Sequence, residues 1–138
     1  RSGTENVPGI IGIGKAAEIA QQDIEKNYSY FCKLEKYLIK MLDSNSFNYK
    51  INGDLDCKVP WIFNIAFFDI SAEDMVEKLG DFCFSKSSAC SKGNYPSHVL
   101  QAMGLDEEWI DHSVRLSFSK YTTIEQIDLF CKRLKKII

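Results

Sequence analysis

The sequence predicts an α+β fold in which helices cover a small, mostly antiparallel sheet of about four strands. Segments rich in aromatic and β-branched residues, such as 61–70 and 114–118, predict strands. Between them lie segments in which apolar residues recur at helical spacing. The chain has 138 residues, 45% of them hydrophobic and 26% charged, so we expect one domain with its own core.

The first half of the chain predicts a helical region followed by two strands. From Tyr28 onward, apolar residues recur every three or four positions, so a helix continues or restarts there. Asn52 and Gly53 form a turn signal after a short strand. In chain order we predict a loop at 1–9, a helix at 10–27, a second or continuing helix at 28–42 and a turn at 43–46. A short strand at 49–51 and a buried strand at 61–70 follow.

The second half interleaves helices with strands. The run S-A-E-D at 71–74 predicts a capping box that opens a helix ending near Gly80. Pro96 opens a further helix, which Gly104 closes. We also predict strand-like structure at 82–84, a strand at 114–118 and, after the cap at 122–126, a last helix with the apolar stripe Ile124, Ile127, Cys131, Leu134 and Ile138.

Charge and hydropathy exclude two classes of partner. The formal net charge of −2 gives no electrostatic reason to bind nucleic acid or an anionic membrane. No apolar run approaches the length that crosses a bilayer, and the longest, 61–68, contains Asn64. We therefore expect neither a nucleic acid nor a membrane as partner.

The five cysteines include no C-x-x-C pair, which argues against a disulfide framework and a zinc ribbon. The chain has only two histidines and no spaced acidic ligands, so we expect no metal site. Free thiols predict a reducing compartment, the cytoplasm.

Cys90 is the cysteine whose context indicates reactivity. Its neighbours at 87–91 and Gly93 are small or polar, which predicts a loop, and Lys92 favours the thiolate. An unreactive loop cysteine remains the alternative on local sequence alone. His98, expected in the first turn of the following helix, is either a surface residue or a partner of Cys90.

The other four cysteines have different contexts. Cys131 lies on the stripe of the last helix, Cys32 beside a helical stripe and Cys83 in an aromatic segment. We predict that these three are core residues, because free cysteine packs as a small hydrophobe. Two preceding aspartates make Cys57 a poor nucleophile.

Arg115 interrupts an otherwise apolar strand. The period of two places Arg115 and Ser117 on the face opposite the apolar residues. Its guanidinium either forms an exposed salt bridge or captures a substrate carboxylate, which it can bind with two parallel hydrogen bonds.

Three separated stretches resemble the C-terminal part of cysteine desulfurases, which are pyridoxal-phosphate enzymes of the class V aminotransferase family with fold type I. The first reads R-S-G-T-E-N-V-P-G-I-I-G at 1–12. The second contains S-A-C-S at 88–91 and P-S-H-V-L-Q-A-M-G at 96–104. The third contains V-R-L-S-F at 114–118 and Y-T-T at 121–123.

The resemblance implies a function and roles for three residues. In that family a protein cysteine attacks the sulfur of cofactor-bound L-cysteine, which releases L-alanine and leaves a protein persulfide for an acceptor protein. Cys90 matches this nucleophile and Arg115 matches the arginine that binds the substrate carboxylate. Thr4 matches a threonine that reaches across a homodimer to the cofactor phosphate of the partner subunit.

The resemblance also implies that the cofactor-bearing lysine precedes the R-S-G-T motif, so no lysine here is assigned to it. Because the chain opens on Arg1 without a methionine, we expect a piece of a longer protein. That piece should be inactive alone, because a catalytic thiol without the cofactor cannot activate the carbon–sulfur bond. Residues 1–14 would leave the cofactor-binding domain, and 15–138 would form the C-terminal small domain. The sequence departs from the family at Ser87, where glycine is usual, and at 119–120, where S-K replaces G-R.

Two alternatives remain at this stage. One is another class V enzyme, such as a selenocysteine lyase or an aminotransferase. The other is a non-catalytic sulfur-relay or interaction module that uses Cys90 only as an acceptor.

Overall fold

The computed structural model describes residues 2–85 and 96–138, which form an α+β fold as predicted. The helices are α1 Val7–Ser44, α2 Ala72–Lys78, α3 His98–Ala102, α4 Glu107–Asp111 and α5 Ile124–Leu134, with a short 3-10 helix at Leu55–Cys57. The strands are β1 Tyr49–Ile51, β2 Ile62–Phe67 and β3 Ser113–Ser117. None of the helices in these ranges combines the length and the apolar character needed to cross a membrane.

The sheet is antiparallel with the order β1-β2-β3, so the described ranges contain three strands rather than about four. The predicted strand at 82–84 is wrong. Its backbone N–H at Phe82 donates to the carbonyl oxygen of Leu79 at 2.9 Å, which continues the turn after α2. Within the residues that the structure describes, this stretch meets the sheet at Ser85, which forms a bridge with Arg115.

Helix α1 is continuous and begins earlier than predicted. The prediction of a loop at 1–9 is wrong for its last three positions, because Asn6 caps the helix by accepting a hydrogen bond from the Gly9 N–H at 3.1 Å. Pro8 occupies the first turn, where its missing N–H costs nothing. The helix continues through Asn27, so of the two predicted arrangements, a continuing helix or a second one from Tyr28, the structure has the continuing helix.

The core lies between the inner face of the sheet and the helices α1, α2 and α5. The largest buried side chains come from the C-terminal half of α1, from β2 and β3, from Met75 of α2 and from α5. Two hydroxyl groups of α1 add polar links: Tyr30 donates to the carbonyl oxygen of Thr122 at 2.7 Å, and Tyr37 to Asp128 Oδ1 at 2.6 Å. The last helix is thereby held against α1 by both packing and hydrogen bonds.

The predicted helix starts are confirmed with small shifts. Ser71 caps α2, and Thr123 forms a capping box with Gln126 at the start of α5. Helix α3 begins at His98 with Ser97 as its cap, two residues after Pro96. A further helix, α4, was not predicted.

The stripe of α5 differs from the predicted one at its ends. Ile124 and Ile138 are 42% and 41% exposed, whereas Phe130 is buried. The buried residues Ile127, Phe130, Cys131 and Leu134 follow the i, i+3, i+4, i+7 pattern of one helical face.

Cys131 is a core residue, as predicted, with 1% of its surface exposed. Burial, and then the nearby charge of Asp128, raise the pKa of its thiol to about 11 from 9.0. Tyr49 behaves in the same way: burial, and then its hydrogen bond to Asp43, raise its pKa to about 12 from 10.0. Both groups favour the folded state only while they are protonated.

We expect the chain to lose stability in alkaline solution because of Cys131. The unfolded thiol ionises near pH 9 and the folded one near pH 11, so the contribution is complete below pH 9 and is lost as the pH rises through 11. The free energy of unfolding should fall by about 1 kcal/mol between pH 8 and pH 10. Urea unfolding at the two pH values measures this difference.

The Cys131→Ala variant should lose most of this pH dependence, although it is less stable at both pH values. The matched control is Cys57→Ala, since Cys57 is exposed and its removal should leave the pH dependence unchanged. An equal fall in the wild type and in Cys131→Ala would contradict the assignment.

Candidate functional site

Arg115 lies at the centre of β3, on the outer face of the sheet. It is exposed, whereas its neighbours Val114 and Leu116 are buried, as the alternation of the strand predicts. Its backbone N–H donates to the carbonyl oxygen of Ser85 at 2.7 Å, and its carbonyl oxygen accepts from the Ser85 N–H at 3.1 Å. Its Nη2 also donates to Ser85 Oγ at 3.2 Å. The arginine is thus tied to the segment that leads, five positions later, to Cys90.

The guanidinium of Arg115 has no carboxylate partner in the part of the chain that the structure describes. The ion pairs there belong to other cations, namely Lys15, Lys58, Lys78 and Arg133. The exposed salt bridge considered for Arg115 is therefore not formed within these ranges. A guanidinium has five N–H donors, so those not bonded to Ser85 can bind a carboxylate from a ligand.

Cys90 and Lys92 lie outside the described residues, so their predicted roles stay predictions. The same holds for Arg1. His98 is exposed at the first position of α3, as predicted, but its pairing with Cys90 is not tested. No group of three or more histidine, cysteine or acidic side chains within 2–85 and 96–138 is arranged to hold a metal ion.

Thr4 is exposed and lies three residues before α1. An α-helix rises about 1.5 Å per residue, so Val7 is about 40 Å along the axis from Leu34, where the helix enters the core. Within this chain, therefore, the structure does not bring Thr4 close to Arg115.

A row of polar side chains beside Arg115 was not predicted. Asn64 lies directly opposite Arg115 in the register of β2 and β3. The Oδ1 of Asn64 accepts a hydrogen bond from Asn52 Nδ2 at 2.6 Å, and the same nitrogen donates to Ser113 Oγ at 2.9 Å. The indole N–H of Trp109 donates to Asn52 Oδ1 at 2.8 Å. The signal for this row in the sequence was Asn64, a polar residue inside an apolar strand.

The described cysteines differ in burial. Cys131 is buried, as predicted for a core residue, whereas Cys32 is only half-buried. The prediction that Cys83 is a core residue is wrong, because it is exposed. Phe82 and Phe84 on either side pack against the core, whereas Cys83 between them is exposed. Cys57 is exposed in the short 3-10 helix.

The chain is similar to known proteins over nearly its whole length. The cysteine desulfurase IscS of Vibrio atlanticus is 40% identical over 129 residues, which are 93% of this chain and 32% of that protein. A cysteine desulfurase of a Nostoc species is 39% identical over 141 residues, covering 100% of this chain and 35% of its own length. The chain thus spans about a third of the length of these curated relatives.

The fold is similar to that of solved structures as well. The solved structure of a NifS-like protein from Rickettsia africae superimposes with a TM-score of 0.82 at 32% identity, covering 99% of this chain and 36% of that one. The model of the aminotransferase class-V family matches residues 1–130. Since that match takes in nearly all of the chain, including β3 and its arginine, the chain belongs to the aminotransferase class-V family.

Proposed function

We propose that this chain is the C-terminal third of a cysteine desulfurase, which removes sulfur from L-cysteine to give L-alanine and a persulfide on Cys90. The observation that carries the proposal is the placement of Arg115. It is an exposed arginine without an acidic partner in the described ranges, anchored to the residue from which the Cys90 segment begins. Relatives named cysteine desulfurase that align over nearly the whole chain support the same reading.

Arg115 would bind the α-carboxylate of L-cysteine. Its backbone is hydrogen-bonded to Ser85 on one edge of β3, and β3 pairs with β2 on the other edge. A side chain on such a rigid element keeps its position, which is the requirement for orienting a substrate. The guanidinium fork matches a carboxylate in geometry as well as in charge.

Covalent connectivity allows Cys90 to reach a substrate held by Arg115. Cys90 comes five positions after Ser85, and an extended chain spans at most about 3.6 Å per residue. The Cα of Cys90 is therefore within about 18 Å of the Cα of Ser85. Both ends of the transfer, the carboxylate anchor and the acceptor thiol, would come from this chain.

The sulfur transfer balances without an added oxidant. The thiolate of Cys90 attacks the substrate sulfur, an S–S bond forms, and the bond between that sulfur and the substrate Cβ breaks. The electron pair of the broken bond stays with the carbon, which takes a proton and becomes the methyl group of L-alanine. The products are a persulfide on Cys90 and L-alanine, and the persulfide sulfur then passes to an acceptor protein.

The cofactor implied by the family is pyridoxal 5'-phosphate, which supplies the electron sink that weakens the carbon–sulfur bond. This chain would contribute only a contact at its phosphate end, through Thr4. Thr4 is exposed, and its hydroxyl group forms no hydrogen bond with the residues that the structure describes. It is therefore a suitable donor for a phosphate oxygen. Because Thr4 is far from Arg115 within one chain, we propose that it serves the partner subunit of a homodimer.

The division of the chain follows from these roles. Residues 1–14 would form the segment that leaves the cofactor-binding domain, and 15–138 would form the small domain. A persulfide requires a free thiol, so we propose a reducing location, the cytoplasm.

The chain alone should not desulfurate cysteine, since a thiol without the cofactor site lacks the group that activates the carbon–sulfur bond. The isolated 138-residue chain, incubated with L-cysteine and pyridoxal 5'-phosphate, should form no more L-alanine than free cofactor does. Chromatographic quantification of L-alanine measures this. Turnover comparable with that of the full-length protein would show that the remaining part is not required.

In the full-length protein, Cys90→Ser should abolish persulfide formation and leave the absorbance of the bound cofactor unchanged. Mass spectrometry after a pulse of L-cysteine detects the persulfide as one added sulfur. The matched control is Cys83→Ser, an exposed cysteine seven positions earlier, which should retain both the persulfide and turnover. Normal sulfur release by Cys90→Ser would rule out this nucleophile.

A further inference from the structure

Asn52, Asn64 and Arg115 form one row across the outer face of the sheet. The backbone N–H of Asn52 donates to the carbonyl oxygen of Asn64 at 2.8 Å, and Asn64 is opposite Arg115 in the next strand. The N–H and C=O of Arg115 bond Ser85 on the other side, so Asn64 and Arg115 are a pair without mutual backbone hydrogen bonds. Side chains in such antiparallel pairs approach most closely, with Cβ atoms about 5 Å apart.

Trp109 determines how both asparagine amides are oriented. An indole N–H can only donate, so the atom of Asn52 that receives it is the carbonyl oxygen Oδ1. Asn52 then presents its NH₂ group to Asn64 and to Ser113 Oγ. Asn64 must accept with Oδ1, which leaves its own Nδ2 as the unengaged end of the amide in the described ranges.

We infer that Asn64 is a second donor for the carboxylate that Arg115 binds, held in that orientation by Asn52 and Trp109. The inference rests on the proposed function for the identity of the ligand, an α-amino acid. It adds a specificity-determining residue that the three predicted site residues do not include.

The chemistry of the pair suits a carboxylate. A carboxylate has two oxygens with about four acceptor positions, and an arginine fork occupies only two of them. The half-buried Asn64 amide can donate to a third without adding charge. Both side chains are held in place, Asn64 by the hydrogen bond from Asn52 at 2.6 Å and Arg115 by its bond to Ser85 Oγ at 3.2 Å.

The Asn64→Asp substitution in the full-length protein separates ligand binding from a structural role. Aspartate keeps an oxygen that accepts from Asn52, so the hydrogen bond within the fold is retained. It replaces the donor by a second anionic oxygen that repels a carboxylate. We expect KM for L-cysteine to rise at least about tenfold, with kcat within about twofold, because a hydrogen bond to a charged group is lost.

Two further variants complete the series. Asn64→Ala should also raise KM, and if it unfolds, the isosteric aspartate still decides the question. Trp109→Phe leaves an aromatic ring beside Phe68 but removes the indole N–H, so it should raise KM less than Asn64→Asp does. The matched control, Asn27→Asp, adds the same charge at a half-buried asparagine of α1 and should leave KM unchanged.

Calorimetric titration with L-alanine distinguishes this inference from the proposed function. L-alanine carries the carboxylate but no sulfur, so its affinity should fall in Asn64→Asp and in Arg115→Gln even if the full-length protein releases no sulfur from cysteine. In that case the proposed function fails and the carboxylate site stands. An L-alanine affinity and a KM in Asn64→Asp within twofold of the wild type would overturn the inference, as would a wild type that binds no amino acid.

Discussion

The alternation of β3 is the constraint on which both the core and the candidate site depend. Val114 and Leu116 face the helices, with 0% and 9% of their surfaces exposed. A shift of one residue along the strand would place Arg115 in the core, where an unpaired charge costs several kcal/mol. The hydrophobic core therefore decides which face carries the guanidinium, and the functional side chain is positioned by the same burial that stabilises the domain.

The outer face of the sheet is specified by hydrogen bonds instead. Asn52, which follows β1, donates through its Nδ2 to Asn64 of β2 and to Ser113 of β3, and its Oδ1 accepts from the indole N–H of Trp109. Each of these bonds has a definite donor and acceptor, so the row has one favoured orientation. The aliphatic and aromatic core on one face supports a polar surface of fixed geometry on the other, which is the arrangement expected of a binding site on a rigid scaffold.

Helix α1 serves two regions of the molecule. Its C-terminal half packs in the core through Leu34, Leu38 and Leu42, and Tyr37 links it to α5. Its N-terminal half is largely exposed, including Ile13 at 75%. The chain therefore presents Arg115 on the sheet, whereas Thr4 lies just before α1, whose first residue is about 40 Å along the helix axis from Leu34 in the core. The proposed roles of these residues in different subunits are compatible with that separation.

Local signals in the sequence were sufficient for the α+β class, the caps at Ser71 and Thr123, and the exposed position of Arg115. These features depend on neighbouring residues and on the period of a helix or strand. Only the tertiary structure decided that Cys83 is exposed, that 82–84 is not a strand, and that Asn64 lies beside Arg115. Each of these depends on pairing or packing between residues distant in the chain, as when Trp109 donates to Asn52, and no local pattern encodes such a contact.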